Sequence, residues 1–135
     1  MEGKHCVCTE QDFNIFTGNE ETLKLCEDNN LISLNRRPLA GGALTPKPRD
    51  SGKKWHDFEE KNLKKFDAIR ETITSGGRTV AQGALSWLWA KSKATIPVPG
   101  FRTKEQARDS IGALEYGPLT SNEMKEIEKI KEEIE

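Results

Sequence analysis

Apolar positions along this chain alternate between short runs suited to strands and longer runs of helical period, and the order in which they come sets out a strand and helix rhythm. The run His5 to Thr9, HCVCT, predicts a short strand, followed by the polar and aromatic stretch EQDFNIF. Thr17, Gly18 and Asn19 are turn residues, and Asn19 is an N-cap for a helix from Glu20 to about Asp28 with acidic residues in its first turn. Leu23, Leu25 and Cys26 are the apolar contacts expected of that helix. Asn29 and Asn30 stop it, because asparagine tolerates the left-handed conformation of a C-terminal cap. LISLN, from Leu31 to Asn35, is a second strand, which Pro38 ends for want of an N–H to donate. Strand, helix and strand with short joints is the sequence of a parallel βαβ unit.

From Gly41 to about Trp55 the chain is rich in Gly, Pro, Ser and Lys and has no apolar period, which predicts a long loop with Trp55 as its anchor. A helix follows from about Phe58 to Ser75, with Asn62, Phe66, Ile69 and Ile73 at helical spacing, and Ser75-Gly76-Gly77 breaks it. Thr79 and Gln82 form a T-x-x-Q capping box that opens a helix with Ala81, Ala84, Leu85 and Leu88 on one face. Trp87 and Trp89 widen that face as core packing, so this is the helix expected to be most buried. Thr95 to Pro99 is a third strand, short, Pro-bounded and buried, and Gly100 gives the tight turn after it. Thr103 and Gln106 form a second box for a helix from Lys104 to about Tyr116, ended by Gly117-Pro118. Thr120 and Glu123 form a third, for a last helix carrying Met124, Ile127, Ile130 and Ile134. The expected class is therefore α/β: three parallel βα units plus a C-terminal helix, either a small layered sheet or part of a closed barrel.

Length and charge narrow the partners. The 135 residues fit one domain, and a formal net charge of −1 with no basic block argues against a nucleic-acid or membrane-surface binder. No apolar run is long enough to cross a bilayer and MEGKHCVCTEQ lacks the layout of a signal peptide, so a cytoplasmic location is expected. Three cysteines suit a reducing compartment. Cys6-x-Cys8 has strand spacing rather than that of a CxxC metal or redox site, and is taken as two small buried hydrophobes rather than, with His5, a metal site. The one chemical signal is the turn after the third strand: a helix start with free N–H groups beside Arg102 and Lys104 suits an anion.

RRPLAGGALT, TVAQGALSWLWA and IPVPGFRTKEQARDSIGAL, in this order and at these separations, make the chain resemble the aldo/keto reductases. The resemblance covers most of the chain and implies the last three units of an eight-stranded βα barrel, in a family that reduces aldehydes and ketones with NADPH. It makes EQDFNIF the ending of the sixth strand, RPLAGGALT the loop after the seventh and IPVPGFRTKEQARDSIGAL the loop after the eighth, at the C-terminal ends of barrel strands, where such enzymes keep their working loops. By position, Glu10 stands where the family has a glutamine on the nicotinamide amide, and Arg36 where many members have a stacking aromatic. Pro38 and Leu39 match the pyrophosphate loop. Gly100, Phe101, Arg102 and Thr103 match the adenosine-phosphate loop, with Arg102 on the 2′-phosphate and Gln106 further along it. Asp109 and Ser110 replace a Glu-Asn pair near the adenine. The family's catalytic Asp, Tyr, Lys and His come from its first four strands, whereas this chain matches from the sixth. Tyr116, His5 and His56 lie outside the catalytic positions, so no reductase activity is expected of this chain alone, and at most weak NADP(H) binding. A three-strand section also has two open edges, from which self-association or a second chain is expected.

Overall fold

A computed structural model describes residues 5–45 and 60–133, residues 60–63 by their backbone alone. Strands β1 (Cys8–Asp12), β2 (Ile32–Arg36) and β3 (Thr95–Pro97) form one parallel sheet in that order. Helix α1 (Glu20–Asp28) joins the first two strands. Helices α2 (Glu60–Thr74) and α3 (Val80–Lys91), with a 3-10 turn at Ser75–Gly77 between them, join the second and third. Helices α4 (Lys104–Tyr116) and α5 (Ser121–Glu133) follow. Three parallel βα units and a C-terminal helix are thus present as expected; Trp55, His56 and Ile134, and the side chain of Asn62, lie outside the described residues.

The strands sit differently from their expected places, for one physical reason. β1 starts at Cys8 rather than His5 and runs through the polar Glu10, Gln11 and Asp12, in register with β2 from Cys8 opposite Ile32 to Asp12 opposite Arg36. β2 is likewise displaced one residue beyond LISLN. Thr9, Gln11, Ser33, Asn35 and Thr95 share the sheet face that the helices cover, and they are held there by side-chain hydrogen bonds rather than by apolar contact. Thr9 Oγ1 lies 3.2 Å from Cys26 Sγ on α1, Gln11 Nε2 donates to Ser33 Oγ at 3.3 Å, and Asn35 Nδ2 donates to the same oxygen at 3.0 Å. The Thr95 hydroxyl bonds the carbonyls of Leu88 (3.0 Å) and Ser92 (2.8 Å). A strand whose buried face is polar carries no hydropathy alternation to read.

Three side-chain expectations need correcting. Leu25 is exposed, and α1 buries Leu23 and Cys26 alone of the three. Cys6 is exposed and outside the strand, and Cys8 is half-buried, so the pair is not a buried apolar one. In β3 the buried residue is Thr95, while Ile96 points to the sheet's uncovered face and is 44% exposed.

The apolar core is built by helices and by the loops after the strands: Phe13, Ile15, Leu44, Ile69, Ile73, Trp87, Leu88 and Ile127 are almost wholly buried, and no residue of the core cluster lies on a strand. Helix α3 is the most buried, as its sequence predicts, with Val80, Ala81 and the run Gly83 to Leu88 enclosed. Trp87 stacks on Phe13 with ring centroids 5.9 Å apart, joining the loop after β1 to α3.

Candidate functional site

Because the strands are parallel and in register, Asp12, Arg36 and Pro97 all lie at the C-terminal end of the sheet, and the three segments that resemble working loops leave from there together. The first is fixed by Asn14, whose Oδ1 accepts from Phe16 N (3.0 Å) and Thr17 N (3.1 Å) while its Nδ2 donates to the Arg37 carbonyl at 3.0 Å. That last bond ties the first loop to the second. In the second loop Arg37 (φ 49°) and Ala40 (φ 48°) adopt the left-handed conformation despite their side chains, at a strain of about 1 kcal/mol each. Burial holds the loop in that shape: Pro38, Leu39 and Leu44 are enclosed, and Leu44 N donates to the Leu39 carbonyl at 3.2 Å. Pro38 and Leu39 can therefore meet a ligand only through their backbone.

The third segment leaves β3 through a bond from Val98 N to the Asn35 carbonyl at 2.9 Å. Thr103 caps α4 by accepting from Gln106 N at 3.2 Å. The Gln106 amide reaches one residue further back than a capping box requires, so that Oε1 accepts from Arg102 N at 2.7 Å. Gln106 thus belongs to the helix rather than to the loop, with its amide oxygen already engaged. Gly100 does not make a tight turn: its φ is ordinary, and a Cβ placed on it meets nothing within 4 Å. Phe101, Arg102 and Thr103 are exposed, and among the described residues the Arg102 guanidinium has no ionic partner. Asp109 is turned away from this cluster, its carboxylate accepting from the Thr79 hydroxyl at 3.0 Å and its carbonyl from Gln82 Nε2 at 3.0 Å. Ser110 beside it is half-buried.

On the uncovered face of the sheet stands a charge network that residue order does not reveal. Arg36 lies between Glu10 (3.2 Å) and Asp12 (3.0 Å), and Arg37 approaches Asp12 at 3.5 Å. Two cations and two carboxylates balance, and the Glu10 carboxylate is taken up by Arg36. Asp12 was no candidate by sequence; aligning the two parallel strands in register is the signal that would have found it. A groove at the opposite, N-terminal end of the strands, around Asn30, Leu31, Ser92 and Ala94, contains none of these residues.

The chain's one tyrosine is remote from the loops. Tyr116 closes the far end of α4, ~20 Å from Arg102 by the rise of the helix, and its hydroxyl donates to the Gly77 carbonyl. His5 is exposed just before β1. Among the described residues no group of three His, Cys, Asp or Glu side chains could hold a metal ion, and no helix is long and apolar enough to cross a membrane.

Comparison with known proteins agrees with this geometry. The model of the aldo/keto reductase family matches residues 1–132. Among curated proteins, the uncharacterized oxidoreductase YrpG of Bacillus subtilis is 34% identical over 104 residues, 73% of this chain and 32% of that protein. The aldo-keto reductase yakc of Schizosaccharomyces pombe, whose name specifies NADP(+), is 28% identical over 121 residues, 78% of this chain and 34% of its own length. The chain therefore spans about a third of the length of these relatives. Among solved structures, the holo form of aldo-keto reductase AKR11C1 from Bacillus halodurans superposes with a TM-score of 0.72 at 23% identity, over 93% of this chain and 43% of its own. The glycerol dehydrogenase AKR11B4 from Gluconobacter oxydans does so with a TM-score of 0.72 at 23% identity, over 91% and 41%. These likenesses show the fold, a section of a (β/α)8 barrel.

Proposed function

The chain belongs to the aldo/keto reductase family, and from that premise we propose that it carries the NADP(H) phosphate grip of such a barrel without the groups that catalyse reduction. The observation that carries this is the start of α4, where the Arg102 guanidinium, without an ionic partner among the described residues, stands beside a helix N-terminus after the end of β3. Helix N-termini attract anions through their free N–H groups and dipole, and a guanidinium adds a planar, bidentate donor suited to phosphate. Gly100 fits the same role, since the open space around it lets a ligand approach the backbone. Thr103 and Gln106 pre-organise the turn, Leu39 presents a backbone N–H for the pyrophosphate while Pro38, which has none, shapes the loop beside it, and Ser110 lies toward the adenine end, with the Asp109 carboxylate beside it already bonded to Thr79. Glu10 keeps an acceptor for the nicotinamide amide, though Arg36 competes for it. One curated relative is named for NADP(+), which favours the phosphorylated nucleotide.

Proton donation to a carbonyl needs a positioned acid within hydrogen-bond reach of the reacting oxygen. Tyr116 is bonded to Gly77 at the far end of α4, so its position supports a non-catalytic chain. Titration of the 135-residue protein with NADPH by calorimetry tests the proposal. Weak binding is expected, with Arg102→Ala weakening it by about tenfold or more, the worth of one charge-assisted hydrogen bond. Binding that Arg102→Ala leaves unchanged, or NADPH-dependent aldehyde reduction by the purified chain, would overturn it. Absence of binding favours a non-catalytic module that associates through the open edges of β1 and β3.

A further inference from the structure

We propose that Cys6 and Cys8 form a reactive dithiol at the head of β1, which a low-molecular-weight disulfide oxidises to a disulfide within the chain. The proposal is independent of nucleotide binding and uses none of its residues. It starts from how differently the three free thiols are placed. Cys26 is wholly buried on α1, 3.2 Å from Thr9 Oγ1, and is shielded from reagents in the folded chain. Cys6 is exposed just before the strand, Cys8 is half-buried as its first residue, and Val7 between them is 71% exposed. Side chains two positions apart turn to one side of extended chain, and two steps of such chain advance ~6.6 Å, within the reach of a disulfide. Contact is already made: the Cys6 thiol donates to the Cys8 carbonyl at 3.2 Å. A sulfur held against the backbone of its partner has little freedom left to lose when the ring closes.

Exposure decides which thiol reacts first, and that is Cys6. Its sulfur, as thiolate, attacks one sulfur of the incoming disulfide; that S–S bond breaks, and the departing thiolate takes up the proton that Cys6 released. The Cys8 thiolate then attacks the Cys6 sulfur, the Cys6–Cys8 bond forms, and the second small thiol leaves with the Cys8 proton. Two protein thiols have given up two electrons and one disulfide has become two thiols, so no other oxidant is needed. The ring holds only Val7 between its ends, and a short, exposed disulfide of that kind is labile, reopened by an excess of small thiol. Val7 also carries the carbonyl that accepts from Ile32 N at 3.0 Å, so the ring lies where the pairing of β1 with β2 begins.

The test exposes the reduced 135-residue protein to glutathione disulfide, then unfolds it in acidic urea with N-ethylmaleimide to trap every remaining thiol, and maps the cysteines by mass spectrometry. Cleavage after Lys4 and Lys24 puts Cys6 and Cys8 on one peptide and Cys26 on the next. The first peptide is expected to lose two hydrogens and carry no glutathione, while Cys26 is recovered as a thiol. Cys8→Ser should stop at a glutathione adduct on Cys6, and Cys6→Ser should slow the reaction by about tenfold or more, the exposed thiol being gone. Serine replaces the sulfur without changing the shape of the side chain, and an unchanged thermal transition checks that each variant folds. In urea the equilibrium of the parent's ring against glutathione should fall about tenfold, because the contact between Cys6 and Cys8 is lost. The proposal is overturned if the parent leaves the pair as thiols, keeps the glutathione adduct, or joins either cysteine to Cys26 or to a second copy. Ring closure that is as favourable in urea, or a Cys6→Ser variant that reacts at the parent's rate, would overturn it equally.

Discussion

Gly83 and Gly100 both lack a side chain, for opposite reasons. At Gly83 a Cβ would lie 2.2 Å from the Ile73 carbonyl oxygen, a backbone atom that cannot swing aside, so α3 approaches α2 closely only because nothing is there. Gly83→Ala should cost ~3 kcal/mol or more as the two helices are forced apart, read as a large fall in the urea midpoint. At Gly100 the φ is ordinary and the space open, so Gly100→Ala should leave the free protein unchanged or stabilise it by about 0.5 kcal/mol through the unfolded chain. If the proposed phosphate site is right, the same substitution weakens NADPH binding. The sequence drew attention to Gly100 and passed over Gly83, because a close approach between residues ten apart in the chain is invisible until the helices are packed.

Helix starts were the most legible elements. Asn19, Thr79, Thr103 and Thr120 each cap the helix expected of them, and α1 and α4 have the expected limits. Capping depends on residues within four positions of one another, so the pattern T-x-x-Q or T-x-x-E already contains the geometry. What it did not contain is the Thr79 hydroxyl bond to Asp109, which fastens the start of α3 to the second turn of α4. Thr79→Ala should therefore cost about 2 kcal/mol, against about 0.5–1 kcal/mol for the exposed cap Thr103→Ala, a difference that paired urea melts will resolve. Equal costs would mean that the Asp109 bond contributes nothing. Strands were the least legible: CTEQD turns a half-buried threonine and glutamine toward the helices through hydrogen bonds to partners about twenty residues away, and the apolar pattern pointed to HCVCT instead.

At the scale of the whole molecule, Glu123 joins the last helix to the body of the chain. Its carboxylate accepts from the N–H and hydroxyl of Thr120 and from Arg78, itself nearly buried and bonded to the Ile73 carbonyl. Burial alone pushes this carboxyl up; the bonds from Thr120 and the charge of Arg78 more than offset it and hold the group below its ordinary value of 4.5. The unfolded chain thus binds the proton more tightly, so the contribution to stability is fully present above the unfolded value and is lost as pH falls through the lower folded one. Glu123→Gln should destabilise by about 1–2 kcal/mol at neutral pH, and the gap from the parent protein should close below about pH 4. A gap that stays constant with pH would mean the charge is immaterial. By itself the sequence determined the order of strands and helices, the caps and the family, because each is written in neighbouring residues or in motifs that keep their order. Only the tertiary structure decided which face of each strand is buried, that Glu10 is held by Arg36, and that Thr79 is tied to Asp109. Those depend on how residues far apart in the chain are aligned, and strand register settles that only when the sheet forms.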